Sequence, residues 1–295
     1  MTVKNMTNNN SSVIGIDIGG TKILLQTFDA KLNLIEEIRV RTETAKGQKG
    51  FLDQLYKLIG GHFHKGIKGI GIAFPGIVDI YKGTLVKAPH LPTKCDLPIR
   101  KLIEKRYKVP VVIDNDVNAF LIAEKERPQL KKHQNLIAIM IGTGLGGAII
   151  ANGKMIYGKN GYAGEFGHIV IAEGQLKTLE QNTSGAFTSK IAKILGIKKS
   201  VTVSVLDKNT PETTKIKKHM LESLGIGLAN LNLIFNPEVI VLGGSIYSLF
   251  LSDKKKELSK IISAHSLDKN SPVLLDASKT TSVAKGVAIR ILEIL

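Results

Sequence analysis

Two short glycine-rich turns, each set between apolar strand-like runs, constrain this chain more than any other feature. Val13–Ile18 leads into Asp17-Ile18-Gly19-Gly20-Thr21-Lys22 and resumes as Ile23–Phe28. Leu136–Ile141 leads into Gly142-Thr143-Gly144-Leu145-Gly146-Gly147 and resumes as Ala148-Ile149-Ile150. Paired glycines let a backbone turn tightly and bring amide donors close to a phosphate. The first turn is not a P-loop, because its order is Thr-Lys and a strand follows it. The second satisfies a dinucleotide pattern through Gly142, Gly144 and Gly147, but a Rossmann turn opens a helix and this one continues as a strand. Either turn alone could be a plain hairpin connection. Together, one opening each half, they predict a duplicated α/β unit, an internal repeat visible in element order and not in residue identity.

The remaining pattern fills in both copies. Leu34–Val40 is a third strand, Phe51–Ile59 a helix, Ile70–Phe74 a strand, Ile99–Tyr107 a helix and Pro110–Ile113 a buried strand. In the second half, Lys154–Tyr157 extends the strand meander. Helices are expected over 186–195, Thr213–Phe235, Ser245–Ile262 and Ser282–Leu295, with a strand at Val239–Leu242. The polar, Asn-rich residues 1–12 read as a disordered tail. The predicted lobes are 13–117 and 118–283, with the join between Asp116 and Gln134.

Three further segments carry chemistry. Asp114-Asn115-Asp116 follows a buried strand, where carboxylate and amide groups point into a cleft. An Asp there can take the proton of a hydroxyl as its oxygen attacks phosphorus. Helix capping is the competing role, since an apolar helical pattern begins at Val117, and Asp114 is assigned to it. Gly164-Glu165-Phe166-Gly167-His168, followed by Glu180, offers hydrogen-bonding groups suited to vicinal hydroxyls. For Gly225 and Gly227, contact with an adenosine and close helix packing are equal readings; Gly243-Gly244 follows a strand in the same way. Asp17 at a strand end can hold Mg²⁺ through water, as hard cations prefer carboxylate oxygen.

Composition excludes several classes. The net charge of +16 suggests nucleic acid, but the lysines lie in scattered pairs and triplets with no aromatic stacking segment beside them. No apolar run reaches the ~20 residues of a membrane span. A single cysteine, Cys95, allows no internal disulfide, and no secretory pattern opens the chain. No nucleic-acid or membrane partner and a cytoplasmic location are expected.

In this order, the segments resemble the ROK family of sugar kinases and repressors, from Val13 to the C-terminus. The resemblance implies an actin-like, hexokinase-like (ribonuclease H-like) ATPase fold, α/β in class, with two lobes around a nucleotide cleft and helix 284–295 returning to the N-terminal lobe. It implies ATP with Mg²⁺ and a hexose or N-acetylhexosamine phosphorylated at the 6-hydroxyl. Asp116 is then the catalytic base. Asp17, Gly19, Gly20, Thr21, Lys22, Gly142, Thr143, Gly144, Gly146, Gly227, Gly243 and Gly244 belong to the nucleotide. Pro75, Gly76, His90, Asn115, Glu165, His168 and Glu180 belong to the sugar, with Asp79 beside them. The oligomeric state stays open and includes a homodimer.

One departure stands out. The family's cysteine-rich zinc loop is replaced by Ala172–Glu180, shorter and without cysteine, so no structural zinc is expected; Leu176 and Leu179 are the expected anchors. His90 stands where many relatives have Asn. A sugar-sensing regulator is the competing function. It is disfavoured because only about a dozen residues precede Val13, too few for a helix-turn-helix. A weakly active sugar sensor is the third reading, supported by the missing loop alone.

Overall fold

Strand β1 (Ser12–Ile18) alternates between apolar side chains buried on both sheet faces, and β2 (Lys22–Asp29) returns beside it in antiparallel register, Ile18 opposite Ile23. The computed structural model describes residues 11–173, 178–194, 210–267, 271–278 and 282–295. Ser12 does not belong to the tail expected over 1–12. Ser12 is already buried in β1, its amide donating to the Gly66 carbonyl, and residues 1–10 lie outside the described ones.

Antiparallel β3 (Leu34–Arg41) completes a meander, and β4 (Ile67–Phe74) and β7 (Val111–Asn115) add parallel strands, giving the order β3-β2-β1-β4-β7. A second sheet repeats this plan with β8 (Leu136–Ile141), β9 (Leu145–Ala151), β10 (Lys154–Met155), β11 (Val239–Gly243) and β12 (Val273–Asp276) in the order β10-β9-β8-β11-β12. Here β9 is antiparallel to β8 and to β10, whereas β11 is parallel to β8 and to β12. Strand for strand, the second sheet copies the first. This is the mixed α/β, actin-like plan.

Each sheet anchors a compact unit. The first unit extends to Lys125, further than the expected 117, and also takes Gly158–Tyr162 and the C-terminal helix. The shift has a cause in packing: α3 (Asp116–Lys125) lies against α9 (Val283–Leu292), where a Cβ on Gly286 would overlap the Ala119 backbone. Helix α9 also seats on β1 and β4, where Cβ atoms on Gly15 and Gly71 would overlap the carbonyls of Ala284 and Val287. Helices α1 (Gly47–His62) and α2 (Ile99–Tyr107) and the hairpin β5 (Ile77–Asp79)–β6 (Thr84–Lys87) complete this unit.

The second unit holds a buried apolar cluster that includes Ile139, Ile141, Leu179, Leu224, Leu228, Ile240 and Tyr247. Its helices among the described residues are α4 (Leu179–Thr183), α5 (Gly185–Ile194), α6 (Pro211–Phe235), α7 (Ser245–Phe250) and α8 (Lys255–His265). The helix expected over Ser245–Ile262 is broken. Leu251 leaves helical geometry at φ −129°, and a 3₁₀ turn over Ser252–Lys254 separates α7 from α8. Strand β10 ends at Met155, two residues short of the expected Tyr157.

Candidate active site

On the first unit, parallel β1, β4 and β7 end at one edge, and in such sheets ligands gather beyond the carboxyl ends of the strands. The register places Asp17 beside Ala73, and Ala73 beside Asp114. Two carboxylate-bearing strands are therefore separated by one strand, about 10 Å from two interstrand spacings.

The first glycine turn is held from below. Gly19 N–H donates to the Lys22 carbonyl (2.9 Å), Thr42 Oγ1 donates to the Gly19 carbonyl (2.7 Å), and Thr42 N–H donates to the Thr21 carbonyl (3.0 Å). With the carbonyls occupied, the Gly20 and Thr21 amides have no backbone partner among the described residues. Buried Thr42 gave no sequence signal, because its role depends on the pairing of β2 with β3. A Cβ on Gly20 would lie 2.9 Å from the His90 Cβ, so the turn abuts the loop carrying exposed His90. Burial raises the Asp17 pKa to about 6 against the opposing attraction of Lys22. Its carboxylate accepts no hydrogen bond among the described residues. Such a group favours a nearby cation, and the residues present fit a hydrated Mg²⁺.

The strand β7 end divides its three polar residues differently from the sequence expectation. Asn115, not Asp114, caps α3: its Oδ1 accepts from the amides of Val117 (2.8 Å) and Asn118 (3.3 Å). Its Nδ2 donates to the Gly76 carbonyl (2.9 Å), bringing Asn115 to Pro75-Gly76. One Nδ2 hydrogen is left for a ligand. Asp114 is structural in another way. Fully buried, it accepts from Asn115 N–H and Asn118 Nδ2 and lies 3.8 Å from Arg290 Nε. Asp116 is half-buried at the first position of α3, with its Oδ1 accepting from Val117 N–H at 3.0 Å. Asp79 closes its own turn, accepting from Tyr81 and Lys82 amides, which hold its pKa down.

On the second unit, Gly142 N–H donates to the Gly144 carbonyl (2.9 Å), closing the second turn. Exposed Thr143 and half-buried Gly144 form its tip, and Gly146 is already within β9, opposite Met140. Thr178 and Gln181 form a capping box that starts α4 and so places Glu180. Glu180 Oε2 accepts from Leu145 N–H at 2.7 Å. His168 Nε2 lies 3.9 Å from Glu165 Oε2, and burial raises the Glu165 pKa, offset by His168 and reinforced by Glu180. Glu165, His168 and Glu180 thus form one group.

Three of the expected nucleotide glycines have other surroundings. Gly227 is buried in α6, where a Cβ would meet the Leu179 side chain at 2.7 Å, so packing accounts for it. A Cβ on Gly243 would meet Ala277 and Met140. Gly244, at φ +94°, makes the strand-to-helix turn before α7. Leu179 is a buried anchor, whereas Leu176 lies outside the described residues. Among the described residues, no three or more His, Cys, Asp or Glu side chains are placed to hold one metal ion together, and no helix is long and apolar enough to cross a membrane.

The sequence model of the ROK family matches residues 13–276. The chain belongs to the ROK family. It is 31% identical over 265 residues to a glucokinase of Halalkalibacterium halodurans, covering 79% of this chain and 80% of that protein. It is also 31% identical to a xylose repressor of Caldicellulosiruptor bescii, covering 84% of this chain and 69% of that one. Among solved structures, a ROK hexokinase from Thermus thermophilus matches with a TM-score of 0.83 at 24% identity, over 96% of this chain and 99% of that one.

Proposed function

We propose that this ROK protein is an ATP-dependent kinase of a hexose or N-acetylhexosamine, acting at the 6-hydroxyl, with Asp116 as the base. One observation carries the reading: the edge of the first sheet, where Asp17 and the Asn115–Asp116 pair stand two strands apart with Gly20 and Thr21 amides beside them. That spacing suits a phosphate at one end and a hydroxyl at the other. The sugar oxygen attacks the γ-phosphorus, the bond to the ADP oxygen breaks, and the hydroxyl proton passes to the Asp116 carboxylate. Asn115 orients the sugar through its remaining Nδ2 hydrogen, with Gly76 beside it and His90 against the Gly20 turn; on the second unit, Glu165, His168 and Glu180 are the candidate hydroxyl-binding group. On the second unit, the Thr143 and Gly144 amides form a phosphate-holding turn of their own. Mg²⁺, held through water at Asp17, would offset the charge of the transferring phosphoryl oxygens.

The test is a panel of hexoses and N-acetylhexosamines with Mg²⁺–ATP, reading ADP release and locating the phosphate on the product. Turnover of none of them would defeat the proposal. A sugar-responsive regulator is a second reading, supported by the identity to the xylose repressor. Duplex titration at varied salt separates the two: a steep salt slope with sequence preference favours the regulator.

A further inference from the structure

Glu180 has two ends with different neighbours. Its Oε2 accepts the Leu145 amide directly after the second glycine turn, and a Cβ on Gly144 would come within 2.7 Å of that oxygen. The start of the next helix, α5, grips the same turn. Gly185 N–H donates to the Gly142 carbonyl (2.8 Å) and Ala186 N–H to the Thr143 carbonyl (2.9 Å). Residues 180–186 therefore set the shape of residues 142–145. Helix α4 itself is held by buried Asn182, whose Nδ2 donates to the Thr178 carbonyl (2.7 Å) and whose Oδ1 faces His219 Nε2 (2.8 Å). Glu180 Oε1, by contrast, has no hydrogen-bond partner among the described residues. The carboxylate stands close enough to Glu165 to act on it electrostatically.

Resting on the kinase reading, we infer that Glu180 couples sugar occupancy to phosphate affinity, one carboxylate oxygen taking a sugar hydroxyl while the other holds the second glycine turn. The sign follows from two effects. A hydroxyl donated to Oε1 fixes the carboxylate, and with it the Leu145 amide and the turn, so less ordering remains for the nucleotide to impose. The same donation spreads the carboxylate charge that faces an incoming phosphate. Both favour tighter nucleotide binding when sugar is bound, and linkage requires the reverse effect to be equal.

Calorimetric titration of the full chain with AMPPNP and Mg²⁺, with and without a saturating sugar taken from the activity panel, tests this. Wild type is expected to bind AMPPNP at least about fivefold more tightly with sugar present, at the low end of usual coupling strengths. Glu180→Gln is expected to bind each ligand while that factor falls to about one. Should Glu180→Gln lose sugar affinity altogether, Glu180→Asp reads the coupling instead. It keeps the charge but is one methylene too short to serve both ends, so its factor should also fall. A wild-type factor of one, or a full factor in the variant that binds sugar, overturns the coupling while leaving the kinase reading intact. Wild type that binds neither ligand removes the kinase reading, and the coupling with it.

Discussion

Replacing Asp17 by Asn separates the cost of burying a carboxylate from its use. In the metal-free fold burial holds the Asp17 pKa at about 6, against 3.8 for the unperturbed group. Well below pH 3.8 the side chain is protonated whether folded or not, and it contributes no cost. As pH rises from 4 to 6, the unfolded chain releases this proton while the folded chain keeps it, so stability falls. Above pH 6 the full cost remains: about 2 pKa units at 1.36 kcal/mol each, roughly 3 kcal/mol, lessened where water relaxes around the group. Asn has nearly the same shape and cannot ionise. Urea denaturation of chelator-treated wild type and Asp17→Asn from pH 4 to pH 8 should therefore show a stability difference near zero at pH 4. It should grow to about 2–3 kcal/mol in favour of the variant by pH 7.5. The same variant should lose the stabilisation that Mg²⁺–ATP gives to wild type, with activity down at least about 100-fold. A difference that stays flat with pH would mean that Asp17 is ionised without cost, and the burial argument would fail. A less stable variant at pH 7.5 would mean that attraction to Lys22 outweighs desolvation.

Asp116→Asn should lower kcat by about 10²–10⁴ while leaving the sugar Kd nearly unchanged, measured by coupled ADP release and calorimetry. Gly144→Val should raise the KM for ATP with little change in Tm, because its side chain would intrude on Glu180 Oε2 at the turn. Elemental analysis of protein purified without added metal should find no stoichiometric zinc. Activity should likewise return in full when Mg²⁺ alone is restored after chelation.

The first-sheet meander was legible because β1 and β2 are rich in branched apolar residues and the turn residues between them are distinctive. The β5–β6 hairpin was not, since β5 has three residues and its turn relies on Asp79 accepting amides two and three positions ahead. Strand β12 was missed for a related reason: it is four residues long, lies at a sheet edge, and takes its place from parallel pairing with β11. At the candidate site, residue types were readable but partners were not. A pattern that allows either Asp114 or Asn115 to cap α3 cannot show that Arg290, far along the chain, already approaches Asp114. Gly227 gave equal readings because a helical glycine looks the same under a ligand and under Leu179.

The seating of α9 on β1 and β4 bears on how the protein is made. Its glycine-lined berth belongs to residues near the start of the chain, whereas the helix that fills it begins at Val283. During synthesis, the stretch from Lys125 to Val283 takes roughly 8–30 s to emerge at about 5–20 residues per second. Throughout that interval the glycine face of β1 and β4 is without the helix that covers it. The usual order, in which the N-terminal unit finishes first, is thereby reversed. Of the two units, the one whose synthesis starts first is the one completed second, after the intervening one has had time to fold. Stop codons or stalls within the final turns of α9 would consequently yield chains whose second unit is sound and whose first is open along its middle.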